Sequence, residues 1–120
     1  MAYDKNNIFA KILRGEIPCQ KVYEDKFALA FNDIAPDAPV HVLVVPKGEY
    51  VSFHDFSVNA TPEFMKGFFT AVQKVAQQLN LEESGYRIIS NHGPDASQSV
   101  AHFHVHILGG RHLGRLVLKE

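Results

Sequence analysis

Residues 101–108 read AHFHVHIL, a strict alternation of apolar residues with histidine. Successive side chains of a β-strand point to opposite faces. The pattern predicts a strand over Ala101–Leu108, with His102, His104 and His106 on one face and Ala101, Phe103, Val105 and Ile107 on the other. The apolar set has to pack on a core, and the histidines then line a surface or a cleft. The rest of the chain can supply that core. It has 120 residues, 46% of them apolar and 21% charged, which suits one globular domain spanning 1–120. The net charge of −1 gives no basic field to draw nucleic acid or an anionic membrane. Cys19 is the single cysteine, so no internal disulfide framework or multi-cysteine zinc ribbon is expected. The opening MAYDKNN has no apolar core of a signal peptide, and no run approaches the ~18 apolar residues of a membrane span, so a cytoplasmic protein is expected.

Other segments carry recognisable signals. Asn7 can cap a short helix whose stripe is Ile8, Phe9, Ile12 and Leu13, ended by Gly15 and Pro18. Strands are predicted around Lys21–Glu24 and Phe27–Asn32, joined by a tight turn at Asp25-Lys26, and a central β-branched strand over Val40–Pro46. Lys47 to Asn59 reads as irregular. Thr61 as N-cap, Pro62 at the first helical position, and Phe64, Phe68, Val72, Val75 and Leu79 at helical spacing predict the main helix over Thr61–Leu79. A strand over Tyr86–Asn91 and a loop over His92–Val100 complete the chain up to the histidine strand. The order predicts an α+β fold: an antiparallel sheet, one long and one short helix, and helices packed on one side.

Three roles compete for the histidine face. Residues four apart on a strand lie ~13 Å apart, whereas nitrogens on one zinc ion lie within about 4 Å of each other, so His102 and His106 cannot share an ion on a straight strand. Two of the three with a remote third ligand could. The second role is a set of surface histidines without a task. The third is nucleophilic catalysis at phosphorus: an imidazole that is largely neutral at pH 7 can attack, and neighbouring imidazoles can stabilise the phosphoryl oxygens. The loop before the strand offers Gly93, Ser97, Gln98 and Ser99, whose backbone and hydroxyl groups suit an anion.

The segment Gln98-Ser99-Val100 followed by HFHVHILGGR matches a His-φ-His-φ-His-φ-φ signature, φ being apolar. With NIFAKILRGEIPCQKVYED, LAFNDIAPDAPVHVLVVPK and GYRIISNHGPDASQSV, nearly the whole chain resembles the Hint branch of the histidine triad (HIT) superfamily, the purine nucleoside phosphoramidases. The resemblance implies a HIT-like fold and a homodimer with the sheet continuing across protomers. It implies hydrolysis of the P–N bond of an AMP-like purine nucleotide substrate, or of an acyl-adenylate, without a cofactor or catalytic metal. His104 would be the nucleophile and form a nucleotidyl-histidine. His106 would contact phosphate oxygens, and His102 would orient the site in contact with His41. Ser99 would hydrogen-bond the leaving amine, and Asn91 with the Gln98-Ser99 backbone would hold the phosphate. Asp33 would accept from the ribose hydroxyls, and Ile8, Phe9, Ile17, Phe31 and Ile34 would form the base pocket. Ile8, Phe9, Phe31 and Ile34 serve equally as plain core, and Asp33 as a turn residue. His54, His92 and His112 are read as surface residues.

Departures from the family pattern sit around the same site. Ala96 and Ser97 replace two glycines, Gly48-Glu49 replaces Lys-His, and LGRLVLKE replaces a tryptophan-containing tail that shapes the partner's site. Alternative functions are dinucleoside polyphosphate hydrolysis or nucleotidyl transfer, and a nucleotide-binding regulatory module with little turnover.

Overall fold

A computed structural model describes residues 2–118. Helix α1 (Ile8–Leu13) precedes strands β1 (Lys21–Glu24), β2 (Ala28–Asn32) and β3 (Val40–Pro46). Helices α2 (Phe53–Asn59) and α3 (Pro62–Gln78) follow, then β4 (Arg87–Ile89), a single 3-10 turn (Pro94–Ala96) and β5 (Val105–Gly109). The strands form one antiparallel sheet in the order β1-β2-β3-β5-β4. The expected α+β architecture is therefore present, with β3 at its centre. No helix among the described residues is long and apolar enough to cross a membrane.

Alternation along the strands divides the interior into two apolar clusters. Ala28, Ala30, Val42, Val44, Val105 and Ile107 face Phe56 of α2, Phe68, Val72 and Val75 of α3, and Phe103. Leu29, Phe31, Leu43 and Val45 turn the other way and are covered by Phe9 of α1. Helices thus lie on both faces of the sheet, not on one as expected, because the apolar stripe of α1 matches the second, smaller cluster. In the larger cluster Phe56 stacks on Phe103 at 4.6 Å between ring centroids. Each fully buried phenylalanine stabilises the fold by about 1.5–3 kcal/mol.

Two caps form as their sequences predict: Asn7 Oδ1 accepts from Ala10 N–H and Thr61 Oγ1 from Phe64 N–H. Helix α2 was not expected, since its region reads as irregular. Its signal is the pair Ser52 and Asp55: Ser52 Oγ caps Asp55 N–H at 3.2 Å, and Asp55 Oδ2 takes Val51 N–H at 2.8 Å. The last strand also differs. It starts at Val105 instead of Ala101 and extends to Gly109. The β3–β5 ladder runs from Val40↔Gly109 to Val44↔Val105. Beyond it stands Pro46, which has no N–H to give. Phe103 N–H goes instead to the Tyr50 carbonyl at 2.7 Å.

Gly67 lets α3 approach β2 closely. A Cβ there would sit 2.3 Å from the Phe27 ring, which itself packs edge-on against Phe64. Alanine normally favours a helix over glycine by roughly 1 kcal/mol. Here the clash reverses the sign, and Gly67→Ala is expected to destabilise the fold by about 1–3 kcal/mol in urea denaturation. Adding Phe27→Ala to that variant should remove the penalty, leaving the two changes strongly non-additive.

Candidate active site

The ladder that ends at Val44 is also what assembles the histidines. Leu43 stands opposite His106 and His41 opposite Leu108, so antiparallel alternation brings His41 and His106 onto one face as diagonal neighbours. Their rings meet with His41 Nε2 2.8 Å from His106 Nδ1. His102 and His104 lie on the extended segment ahead of β5. The His104 ring is 5.1 Å from that of His106 and edge-on to Phe9 at 4.9 Å. His41, His102 and His104 are buried, and His106 is partly so. The face assignment therefore holds for His104 and His106 even where the ladder does not.

Hydrogen-bond partners dictate which ring nitrogens carry protons. Asp37 N–H donates to His41 Nδ1 at 3.0 Å, so the His41 proton is on Nε2. That proton is given to His106 Nδ1, which leaves His106 with N–H at Nε2. In His104, Nδ1 lies 2.7 Å from the His102 carbonyl, which can only accept. Nδ1 must therefore carry the proton and Nε2 the lone pair. The site presents an unprotonated nitrogen on His104 and a donor nitrogen on His106.

Charge follows the same logic. Burial, reinforced by the neighbouring imidazoles of His104 and His41, pushes His106 down to about 4. Burial also pushes His102 down to about 4 against the opposing bond to Pro46. His104 is lowered by burial too, with its bond to the His102 carbonyl and the charge of Asp33 acting in the other direction. At neutral pH the triad is uncharged, as a nitrogen nucleophile needs to be.

The predicted contact between His102 and His41 does not form. His102 turns the other way, to the Pro46 carbonyl at 3.0 Å and the Tyr3 hydroxyl at 2.5 Å, because His41 has already taken Asp37 and His106 as partners. Asp33 takes the turn role read from the sequence, with Oδ1 accepting from Ala35 N–H, while Oδ2 lies 3.5 Å from His41 Nε2. Asp33 and the fully exposed Ile34 line a cavity of about 440 Å³ with Pro18, Cys19, Gln20 and Asn32. Phe9 and Phe31 are core residues packed edge-on, Ile8 is half exposed on α1, and Ile17 is half-buried.

The loop before the triad is latched by Gln98. Its amide donates to the Val51 and Val100 carbonyls and accepts from Gly93 N–H, while its own backbone N–H goes to the Gly93 carbonyl. Gln98 is thus committed to holding the loop. Ser97 takes φ +59°, a left-handed conformation that suits the glycine it replaces and costs a serine about 1–2 kcal/mol. Asn91 follows β4 and is half-buried, and Ser99 is exposed. Gln98 and Ser99 border a cavity of about 770 Å³. Across it stand His54 and His92, with ring centroids 6.4 Å apart. Sequence reasoning missed Asp37, whose backbone amide orders His41, and Ser90, whose hydroxyl donates to the His104 carbonyl. Neither carries a local sequence signal.

Among the described residues, one set of potential ligand atoms lies within 4.8 Å of one another: Asp33, His41 and His106. Two nitrogens on a tetrahedral zinc ion stand roughly 3.3 Å apart, for bonds of ~2.0–2.1 Å. An ion would therefore have to part the His41–His106 hydrogen bond.

Comparison with known proteins gives one consistent picture. A family model described as HIT domain matches residues 14–113. A 13.2 kDa HIT-like protein of Azospirillum brasilense is 56% identical over 117 residues, covering 98% of this chain and 96% of that one. A purine nucleoside phosphoramidase of Escherichia coli is 41% identical over 114 residues, 94% of each chain. Among solved structures, a HIT family hydrolase from Clostridium thermocellum superimposes with a TM-score of 0.86 at 40% identity, covering 96% of this chain and 99% of that one.

The lowered imidazoles set a pH dependence. Unfolded histidines titrate near 6.5 and folded His102 and His106 at about 4, so the native chain binds fewer protons between those values. Their stabilising contribution is complete above pH 6.5 and declines as pH falls toward 4, by up to about 1.4 kcal/mol per pH unit for each group. Urea midpoints measured from pH 7 to 4.5 should fall steadily. A flat profile would mean that these rings take up protons in the native protein as readily as in the unfolded chain.

Proposed function

The chain belongs to the HIT domain family, and we propose that within it this protein hydrolyses the P–N bond of purine nucleoside phosphoramidates. The observation that carries this reading is the pair of nitrogens at the site, a lone pair on His104 Nε2 beside an N–H on His106 Nε2, each fixed by its ring's other bond. That pairing suits attack on a phosphoryl group, where charge develops on oxygens next to the attacked phosphorus. A relative named purine nucleoside phosphoramidase, aligned over nearly the whole chain, supports the substrate class.

In the proposed reaction His104 Nε2 attacks the α-phosphorus. The new P–N bond forms as the bond to the amine breaks, and the amine nitrogen leaves with the electron pair and takes the Ser99 hydroxyl proton, which the exposed Ser99 regains from solvent water. The His102 carbonyl holds the proton on Nδ1 of the nucleotidyl-imidazolium. His106 donates to a phosphoryl oxygen, Asn91 and the Ser99 backbone position the phosphate, and Asp33 accepts from the ribose hydroxyls. Water then attacks phosphorus, releasing the nucleoside monophosphate and restoring neutral His104.

The same reading makes the protein a homodimer whose sheet continues across the copies. Its support is the edge strand β4, where Ile88, Phe53 and Phe69 are 52%, 50% and 42% exposed around one apolar hollow. Contiguous apolar surface of this kind suits an interface.

Two measurements test these statements. Wild type should hydrolyse adenosine monophosphoramidate and yield an AMP adduct on His104 by mass spectrometry, whereas His104→Ala should lose several orders of magnitude in kcat/KM. Equal rates would sink the mechanism. Ile88→Lys should shift the sedimentation coefficient from dimer to monomer, and an unchanged value would remove β4 from the interface.

A further inference from the structure

The His102 side chain is fully buried, and both of its ring nitrogens are engaged within the protein. Nε2 faces the Pro46 carbonyl at 3.0 Å and must donate, so Nδ1 carries the lone pair. The group that satisfies it is the hydroxyl of Tyr3, 2.5 Å away. Desolvation raises the Tyr3 hydroxyl above its ordinary 10, so it holds a proton to give at neutral pH. Its ring also meets the His102 imidazole edge-on at 5.6 Å.

The segment bearing Tyr3 is fastened. Asp4 Oδ1 accepts from Asn6 N–H, and the Asp4 carbonyl accepts from the Asn7 side chain at 2.8 Å. The Lys5 carbonyl accepts from the Arg14 guanidinium at 2.8 Å. Asn7 is in turn the cap of α1, whose Phe9 lies edge-on to both His102 and His104. The residues ahead of α1 are therefore built into the wall behind the triad.

We propose that Tyr3 is a positioning residue for the nucleophile: by donating to His102 Nδ1 it fixes the tautomer and seat of His102, whose carbonyl holds the Nδ1 proton of His104 and so keeps His104 Nε2 free to attack. The proposal rests on His104 as nucleophile. The chain of bonds runs Tyr3 O–H to His102 Nδ1, His102 Nε2–H to Pro46 O, and His104 Nδ1–H to His102 O. Without the Tyr3 proton, His102 keeps a buried lone pair with no donor. It can relieve this by turning its ring, which breaks its bond to Pro46, lets both tautomers form and shifts the peptide that orients His104.

The test is Tyr3→Phe, which keeps the ring and removes one oxygen. Nitrogen-15 NMR of the wild-type imidazoles should show His102 and His104 each in a single tautomer, His102 protonated at Nε2 and His104 at Nδ1. In Tyr3→Phe the His102 pattern should become a mixture, and the His104 pattern should shift with it. With adenosine monophosphoramidate, kcat should fall about tenfold, the cost of one ~1.4 kcal/mol loss, with KM within twofold and the thermal midpoint within a few degrees. Tyr3→Leu, lacking the ring as well, should not fall much further in kcat. Wild-type kcat with unaltered imidazole spectra in Tyr3→Phe would overturn the proposal, as would a kcat loss with both tautomers unchanged. If the wild-type protein fails to turn over the phosphoramidate, the substrate reading fails, and the spectra alone still decide the role of Tyr3.

Discussion

The β3–β5 ladder is the interaction on which the site depends. It joins distant parts of the sequence: His41 and His106 are separated by 65 positions and meet through one hydrogen bond. The register that pairs Leu43 with His106 also pairs Val42 with Ile107 and Val44 with Val105, all in the larger core cluster. A slip of β5 by one residue would send His106 into that apolar interior and Val105 and Ile107 to the other face. Core packing and site assembly are therefore the same constraint. The helices enforce it from opposite sides, α2 and α3 over the valine face and α1 over the histidine face.

Burial then gives the histidines their chemistry. In water an imidazole samples both tautomers and is partly charged near neutral pH. Here the loss of solvent disfavours the triad cations, a carbonyl or a backbone amide selects the tautomer of His41, His102 and His104, and His41 selects that of His106. The groups that do the selecting are mostly main chain: Asp37 N–H, the Pro46 carbonyl and the His102 carbonyl. Main-chain groups on a fixed sheet lose little freedom when they bind a side chain, so the arrangement is organised before a substrate arrives.

Much of this was legible in AHFHVHIL, and its limits are instructive. Alternation correctly separated Phe103, Val105 and Ile107 from His104 and His106, since that separation is a local property of extended chain. Caps at Asn7 and Thr61 were legible for the same reason. Partnerships across the chain were not. The sequence places His41 on the histidine side, but only the register decides that its partner is His106 and that His102 looks toward Pro46 and Tyr3. Helix α2 escaped because seven residues with one buried side chain carry too little periodicity, though Ser52 and Asp55 announce its start. The cavity between His54 and His92 escaped because those histidines come from separate loops and helices with no shared pattern.

The point at which the predicted strand fails is also the point at which the His104 imidazole is oriented. The N–H and C=O of a strand residue point to the same side, and the Pro46 carbonyl points toward the triad segment, where it takes His102 Nε2–H. Its missing N–H therefore faces the place where a longer ladder would need a donor. Residues 102–104 are released from regular pairing, and Phe103 N–H finds Tyr50 instead. In this released segment the His102 carbonyl turns to His104 Nδ1, two residues on. An uninterrupted strand from Ala101 would have more ladder bonds, but its middle histidine would have no fixed acceptor for the Nδ1 proton. One proline at the end of β3 thus converts a regular strand edge into the support of an oriented imidazole.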